Sequence, residues 1–492
     1  MDNKHHHLSN HDLEHSTKLD IDLSSDTTEA EKLINTIWTD GFQIFDIDKS
    51  KGGKRPLTPL INQLKLLVLN LFKNWSEDPS LLLGVPMTKN SYKVKSRYNT
   101  LNISSKLIEI VNRLHVLGLI EWKKGSESAK RTTRIWPTEK LIEIFKASNL
   151  SMLDLKHTHK KEVIILNNKM PNDSKAKRME YIDTPLIKSM RKQLVAYNQL
   201  LESTYIDVGD QESSNLITKE SKHISINQHN KFVSRVFYRG SWNLGGRFHG
   251  GWWQSINSII RSKILINDQP TVELDYSGLH VSLIYGLQQK QPPSDPYSVD
   301  LVNENFTKEE QRKCIKELVL MAINAKTLKK AFMAFRADQD AGSVERSLTD
   351  KSLRELLDGF IEANILVGPY LGKDKGVELM AMDGRITAKI INYFTEKDIP
   401  ILTVHDSYII NHEYSGELRK VMNDATEEEL GGFKINIKQD TIGIDQYRAF
   451  TAQEPNNSEM KLQLLNSLPK VERTEEYKAR YKNFRLWLSI MS

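Results

Sequence analysis

Two strand-like segments that each meet an aspartate constrain the fold of this chain most. Residues 271–277 alternate apolar and acidic side chains, as a strand with one buried face does, and Asp275 stands near the end of that strand. Residues 401–404 are apolar and partly β-branched, and a strand pattern resumes after Asp406. The second segment therefore predicts a hairpin with Asp406 at its tip. Carboxylates at the ends of neighbouring strands can share two Mg²⁺ ions about 3.5–4 Å apart.

A helix between these segments carries two cations on one face. Thr307 and Glu310 have the spacing of a capping box, which fixes where the helix begins. Arg312 and Lys316 are four residues apart and therefore project from the same side, and Asn324 continues that stripe. Two such cations can hold the phosphates of a nucleotide, although a solvated basic face is the commoner meaning of this pattern.

The length of 492 residues exceeds the usual size of one core, so two or three domains are expected.

Charge is distributed unevenly along the chain. Residues 1–50 carry four basic and eleven acidic side chains, a net of −7, whereas residues 51–150 carry eighteen basic and seven acidic, a net of +11. The overall charge of +6 is too small to indicate a polyanionic partner, but the basic region is a candidate surface for one.

The N-terminal region predicts a polar tail followed by a small basic domain. Residues 1 to about 30 lack periodicity, which is typical of a disordered tail. Two amphipathic helices, the second ending at Gly118, precede two strands over residues 119–123 and 132–136. This order resembles a winged helix, whose wing would contact phosphates, although such domains also bind proteins and a solvated hairpin is the plain alternative. The wing cations would be Lys123, Lys124, Lys130, Arg131 and Arg134.

Cysteine content and hydropathy indicate a cytoplasmic protein without a membrane partner. The single cysteine, Cys314, excludes an intrachain disulfide and fits a reducing compartment. The apolar stretches are far shorter than the roughly 20 residues that span a bilayer, and the polar N-terminus has no signal-peptide pattern.

Three short motifs occur in an order that is found in known polymerases. They are Asp-Tyr-Ser at residues 275–277, Arg312 with Lys316, and Val-His-Asp-Ser at residues 404–407. This constellation resembles motifs A, B and C of family A DNA polymerases, the DNA polymerase I class, and of the related phage-type single-subunit RNA polymerases. The resemblance covers roughly residues 238–452, less than half of the chain.

The resemblance implies a role for each matching residue. Asp275 and Asp406, with the backbone carbonyl of Tyr276, would hold two Mg²⁺ ions, and Arg312 and Lys316 would bind the triphosphate. The remaining implied contacts are His405 to the primer terminus, His280 and Asn324 to the nucleotide, and Arg247 and Gln254 to the template or primer backbone.

The chain departs from the family pattern beside these residues. Where DNA polymerases place Gln and then an acidic steric-gate residue, this chain has Gly278, Leu279 and His280, so His280 stands where the sugar is selected. Asn324 replaces a tyrosine beside the nascent base pair. Ser407 follows the second aspartate where DNA polymerases commonly have Glu, which favours a phage-type RNA polymerase or a primase as the alternative.

The expected fold is α+β, with a right-hand polymerase palm, short helical fingers and thumb-like helices behind a winged-helix-like domain. The expected reaction is template-directed nucleotidyl transfer, which suggests the replication of a plasmid, phage or mobile element, with a DNA template, a primer and nucleoside triphosphates as partners. Rivals from other classes are a non-catalytic DNA-binding initiator or regulator and a metal-dependent nuclease. The expected divisions are an acidic, largely disordered tail (1–50), the winged-helix-like domain (51–150), a linker with thumb-like helices (151–233), palm and fingers (234–452) and a helical C-terminal extension (453–492).

Overall fold

A computed structural model shows a chain that combines helices and sheets, as the α+β class requires. One large apolar core lies beneath the strands that carry Asp275 and Asp406, and a second core lies in the N-terminal domain. No helix in the described part of the chain is long and apolar enough to cross a membrane. The residues that the structure describes are 9–41, 58–128, 131–168, 176–213, 215–217, 223–300 and 306–491.

The N-terminal domain is a small sheet covered by helices. Its elements are α1 (Asn10–Glu14), β1 (Ser16–Lys18), β2 (Leu23–Ser24), α2 (Thr28–Gly41), α3 (Thr58–Glu77), β3 (Leu82–Val85), α4 (Lys106–Val116), β4 (Ile120–Lys123), β5 (Thr133–Pro137) and α5 (Glu139–Ala147). The strand order is β1-β3-β5-β4, with β1 parallel to β3. The two predicted helices and the predicted hairpin are present as α3, α4 and β4–β5, and Gly118 after α4 has the left-handed φ of 66°.

Residues 9–41 fold against this domain, so the prediction of a disordered tail is wrong for them. The side chain of Asn70 bonds the backbone of Asp20 twice, at 2.9 and 3.0 Å. The polar composition concealed an amphipathic helix, α2, whose buried residues include Leu33, Ile34 and Ile37. The rest of the expected tail, residues 1–8 and 42–50, lies outside the described residues.

The region over residues 151–233 contains strands as well as one long helix. Its elements are β6 (Lys156–His157), β7 (Ile164–Asn168), β8 (Lys177–Arg178), α6 (Pro185–Ser203), β9 (Ile206–Val208), β10 (Asn215–Ile217) and β11 (His223–Ser225). The elements from there to Asp275 are β12 (Val233–Phe237), β13 (Gly245–Gly250), α7 (Ser258–Arg261), β14 (Ile264–Ile266) and β15 (Gln269–Tyr276). Strand β7 lies inside a sheet of order β13-β12-β7-β8. The expectation of a linker is therefore wrong here, because the short apolar run around Ile164 is a buried strand.

The sheet that carries both aspartates has the order β16-β17-β15-β14-β9, with β18 pairing along β15. The remaining elements are α8 (Leu279–Gly286), α9 (Lys308–Asn324), α10 (Leu328–Asp338), α11 (Val344–Ser347), α12 (Asp350–Ala363), α13 (Gly376–Thr395), β16 (Ile401–Val404), β17 (Ser407–Asn411), α14 (Ser415–Glu429), β18 (Ile437–Gln439), α15 (Ile444–Gln453), α16 (Ser458–Asn466) and α17 (Glu475–Met491). Helix α13 packs closely on β13, since a Cβ at Gly384 would lie 2.2 Å from the carbonyl oxygen of Gly246. The C-terminal α17 covers the far end of the sheet, where Tyr477 and Phe484 pack on Tyr205.

Candidate functional site

Strand pairing brings Asp275 and Asp406 to one edge of the sheet. Asp275 is the penultimate residue of β15 and pairs with Ser407, the first residue of β17. Asp406 lies in the two-residue turn between β16 and β17, and its carbonyl accepts the N–H of Tyr276 at 3.3 Å. The turn is tight because His405 adopts the left-handed φ of 56°. The hairpin predicted from the sequence is thus confirmed, with the two acids as neighbours across the strands.

The two carboxylates are not balanced by bonded cations. Burial, together with the negative charges of Asp406 and Glu273, raises the pKa of Asp275 to about 7. The positive charges of Lys316 and Lys438 oppose this shift without cancelling it. Among the described residues neither Asp275 nor Asp406 has an ion-pair partner. A concentration of negative charge is therefore held at the edge of the sheet.

A third acid on the same strand is engaged by protein groups. The carboxylate of Glu273 forms a two-point ion pair with Arg261 at 3.1 and 3.2 Å. It also accepts a hydrogen bond from the hydroxyl of Ser407 at 2.6 Å. Glu273 therefore adds negative charge near Asp275, while its own oxygens are already bonded.

The donor set at this edge fits Mg²⁺. Asp275, Asp406 and the backbone carbonyl of Tyr276 offer oxygen only, and Mg²⁺ in phosphate chemistry commonly takes one or two carboxylates and completes its shell with water and substrate phosphates. The described residues contain no group of three or more His, Cys, Asp or Glu placed to hold a metal ion. The raised pKa of Asp275 shows that ionising this carboxyl is unfavourable in the empty site. A bound cation would stabilise the ionised form.

Helix α9 carries the two predicted cations near this region, and Arg312 is bonded to an acid there. Thr307 and Glu310 form the predicted capping box, at 3.2 and 2.8 Å. Lys316 is exposed, and its charge acts on Asp275. The guanidinium of Arg312 is bonded at two points to the carboxylate of Asp295, with Nη2 at 3.2 Å.

Sequence reasoning missed two residues near the carboxylates, Lys438 and Tyr297. Lys438 on β18 is the cross-strand partner of Asp275, so both side chains share one face of the sheet. Burial raises the pKa of Tyr297 to about 12, and the charges of Asp406 and Asp295 add to the shift. These residues lie in a loop and a short strand without motif character, so tertiary structure alone brings them to the site.

Arg247 lies beneath the site and joins two buried side chains. Its Nε donates to the carboxylate of Asp383 on α13, and its Nη2 lies 3.1 Å from Nε2 of His280. Burial lowers the pKa of His280 to about 3, so its neutral ring accepts this bond. His280 is only 8% exposed, which places the residue predicted to select the sugar in the protein interior.

His405 lies over the same network, at the tip of the hairpin. Its ring centroid is 6.3 Å from that of His249. Burial and the charge of Arg247 lower the pKa of His405, and burial with the charge of His405 lowers the pKa of His249 to about 4. The imidazoles of His405 and His249, both largely neutral near pH 7, therefore lie close to each other.

Two predicted contact residues are bonded to protein instead. Gln254 donates to the carbonyl of Thr403 at 2.8 Å and accepts the N–H of Gly250 at 3.0 Å, so it fastens β13 to β16. Asn324 donates to the carbonyl of Leu320 at 2.8 Å within α9. The contacts of these side chains with nucleic acid and nucleotide stay predictions.

The four predicted wing cations that the structure describes do not form one row. Lys123 and Lys124 are exposed, and Lys124 lies 5.7 Å above the ring of Trp122. Arg134 turns toward the N-terminal segment and donates to the carbonyl of Leu13 at 2.9 Å. Arg131 closes the hairpin through two backbone bonds with Ser126, each 2.9 Å long. Lys130 lies outside the described residues.

Comparison with known proteins adds little to this geometry. No protein-family model matches the sequence, and a search of curated proteins finds no relative. Among solved structures, the chain is similar to the polymerase domain of Pol1 from M. smegmatis, determined in complex with DNA primer-template and dNTP, with 10% identity and a TM-score of 0.29. The match covers 52% of this chain and 52% of that chain, so this protein spans about half of that structure. A likeness at this level carries no argument about function.

Proposed function

We propose that the protein is a magnesium-dependent, template-directed nucleotidyltransferase of the DNA polymerase type. The observation that carries the proposal is the position of Asp275 and Asp406 at one sheet edge, with the pKa of Asp275 raised to about 7 and no cation of the described residues bonded to either carboxylate. Perturbed, uncompensated acids of this kind concentrate at functional sites. The order of the three polymerase-like motifs in the sequence supports the same reaction.

Each residue at the site then has a defined task. Asp275, Asp406 and the carbonyl of Tyr276 would hold Mg²⁺. When bound there, this ion would supply charge stabilisation at the attacking and leaving oxygens of a phosphoryl transfer. Strand pairing fixes the backbone that carries the two carboxylates in advance, so little reorganisation is required when substrate enters.

Cations on the facing elements would bind the triphosphate. Lys316 on α9 and Lys438 on β18 are exposed, and both act electrostatically on Asp275, so phosphates between them and the carboxylates would meet positive charge. Arg312 would join them only after leaving Asp295, to which it is bonded here. Arg247 and Asp383 serve as a positioning pair beneath the hairpin tip. The cations favour a polymerase over a nuclease, because a nuclease has no triphosphate to hold.

The biological setting follows from the same proposal. A basic N-terminal domain joined to a polymerase module suits replication of a plasmid, phage or other mobile element, with a DNA template, a primer and nucleoside triphosphates as partners. The single cysteine is buried, which suits the cytoplasm.

Primer extension tests the proposal directly. Wild type should extend an annealed primer in Mg²⁺, and a comparison of deoxy- and ribonucleotides on DNA and RNA templates should identify the preferred sugar and template. Asp275→Asn and Asp406→Asn should each lose roughly a thousandfold or more in rate. Asp440→Asn, an exposed acid just after β18, is the matched control and should extend normally. Extension near the wild-type rate by either site variant would refute the assignment.

A further inference from the structure

A basic cleft lies between the N-terminal domain and strand β8. It has a volume of about 910 Å³ and shares no lining residue with the carboxylate site. Strands β1 and β5 and the loop after β3 form one wall, and β8 forms the other. The cations in its lining are Lys18, Lys93, Lys95, Arg134, Lys177 and Arg178.

Positive charge dominates this cleft. Six cations face two carboxylates, Glu14 and Glu180, in the lining. Glu180 is already engaged, since it accepts the hydroxyl of Ser96 at 2.6 Å and the N–H of Arg97 at 3.2 Å. Among the described residues Lys18, Lys93 and Lys95 have no ion-pair partner, and all three are exposed. Their charge is therefore available to an anionic ligand.

The two walls are fixed to each other by partly buried bonds. Arg97 follows the lysine-bearing loop, pairs with Glu162 at 3.2 Å and Asp183 at 3.0 Å, and stacks 3.4 Å above the ring of Tyr181. The hydroxyl of Tyr98 donates to the carbonyl of Met179 at 2.9 Å. The cleft is thus held open by the junction itself, so little ordering is needed before a ligand binds.

The chemistry of the lining points to a polynucleotide backbone. Many cations with few carboxylates suit repeated phosphates, whose neutralisation releases condensed counterions. Cations on both walls can surround one strand in a cleft of this volume. The ring of Tyr98 is buried under Arg178, at 5.1 Å, and leaves no open platform for a base there. Contacts would therefore be made with phosphates and would not depend on sequence.

We propose that this cleft binds a single nucleic-acid strand through its phosphates and leads it along the junction of the two domains. The inference rests on the proposed function in one respect, which is that the partner of the protein is a polynucleotide. It assigns strand binding to a surface that includes Arg134 of β5 but not the exposed hairpin lysines Lys123 and Lys124.

Salt-dependent binding of a labelled oligodeoxythymidine tests this, in EDTA and without nucleotides. The cleft variant is Lys18→Ala, Lys93→Ala, Lys95→Ala and Arg178→Ala together. The charge-matched control is Lys32→Ala, Lys146→Ala, Lys482→Ala and Arg485→Ala, four exposed cations outside the cleft. The slope of log affinity against log salt should fall by about 3 in the cleft variant, at about 0.7 per lost single-strand contact, and should stay unchanged in the control.

A charge-retaining variant separates lost contacts from lost structure. Lys18→Arg, Lys93→Arg and Lys95→Arg together should keep the wild-type slope, and a thermal unfolding curve reports folding of every variant. Equal slopes in the cleft variant and wild type would overturn the proposal, as would a loss confined to a duplex of the same length. A loss confined to poly-glutamate binding would assign the cleft to an acidic polypeptide instead. Because no nucleotide is present, these results do not depend on whether the protein extends primers.

Discussion

Two clusters of carboxylates in this molecule differ in whether their charges are paired with cations, and the pKa values of their acids shift in opposite directions. In the first, at the junction of the domains, Glu162 and Asp183 are bonded by the guanidinium groups of Arg97 and Arg191 at 2.9 to 3.2 Å. Hydrogen bonding from Arg191, followed by that from Arg97, lowers the pKa of Asp183. Every charge in this cluster has a partner, and the cluster joins the loop before α4 to α6.

In the second cluster the acids face each other without such partners. Burial and the neighbouring charges of Asp406 and Glu273 raise the pKa of Asp275 to about 7. The nearby lysines, Lys316 and Lys438, act through space and do not bond to it. The contrast indicates that the first cluster stabilises the fold, whereas the second is maintained at a cost to stability, as expected of a binding site.

The largest stability effect is expected in the paired cluster. Arg191→Ala leaves Glu162, whose side chain is 9% exposed, without one of its two guanidinium partners. We expect the free energy of unfolding to fall by about 3 kcal/mol, as for other broken buried pairs. Urea unfolding measures this, with Arg239→Ala as the control, because its exposed pair with Asp374 should contribute less than about 1 kcal/mol. Equal losses in both variants would remove the distinction drawn here.

Asp275→Asn should increase the free energy of unfolding, and the size of the increase should depend on pH. The folded-state pKa of about 7 exceeds the unfolded value of 3.8, so the folded protein binds the extra proton and wild type loses stability as pH rises from about 4 to about 7. In EDTA the variant should match wild type near pH 4 and be more stable by about 2 kcal/mol at pH 8, since part of the carboxyl remains solvated. A difference that stays constant between pH 4 and pH 8 would contradict the raised pKa.

Lys316→Ala should weaken nucleotide use without affecting strand binding. Removing this exposed cation from the proposed triphosphate-binding site should raise the KM for nucleotide roughly tenfold, which corresponds to about 1.4 kcal/mol of binding free energy. Steady-state extension measures this, and Lys313→Ala, an exposed lysine on the same helix, is the control. An unchanged KM in Lys316→Ala would assign that lysine to the solvated surface.

The smallest effect is expected at the hairpin of the N-terminal domain. Lys123→Ala with Lys124→Ala should reduce the salt slope of duplex binding by about 2, at about 0.9 per phosphate contact, while extension of a saturating primer–template stays normal. Binding titrations at several salt concentrations measure the slope. If the slope is unaltered, the hairpin contacts a protein or serves structure only.

Local patterns in the sequence were enough to predict the elements that hold the aspartates. The capping box at Thr307, the strand ending near Asp275 and the hairpin around Asp406 each depend on neighbours within a few residues. Short-range hydrogen bonding and alternation determine such elements almost independently of the rest of the fold. Side-chain roles taken from the resemblance were less secure, because they depend on distant partners.

His280 and Gln254 illustrate why those roles could not be predicted. The sequence gives no sign that Arg247 lies against His280 or that Gln254 bonds the backbone of Thr403, 149 residues away. The same limit hid Lys438, which reaches Asp275 only through strand pairing. Residues 9–41 were mistaken for a tail because polar composition was weighed above the apolar stripe of α2.

Divalent-cation binding by the isolated protein tests the central claim most directly. Mn²⁺ is a paramagnetic substitute for Mg²⁺, and its free concentration can be followed by electron paramagnetic resonance without nucleotide or template. Wild type should bind Mn²⁺, and Asp275→Asn and Asp406→Asn should each bind it at least about tenfold more weakly, since both carboxylates serve as ligands. Asp183→Asn, from the paired cluster, should bind Mn²⁺ as wild type does. Wild-type Mn²⁺ affinity in both Asp275→Asn and Asp406→Asn would show that the two acids are not a metal site and would contradict the account.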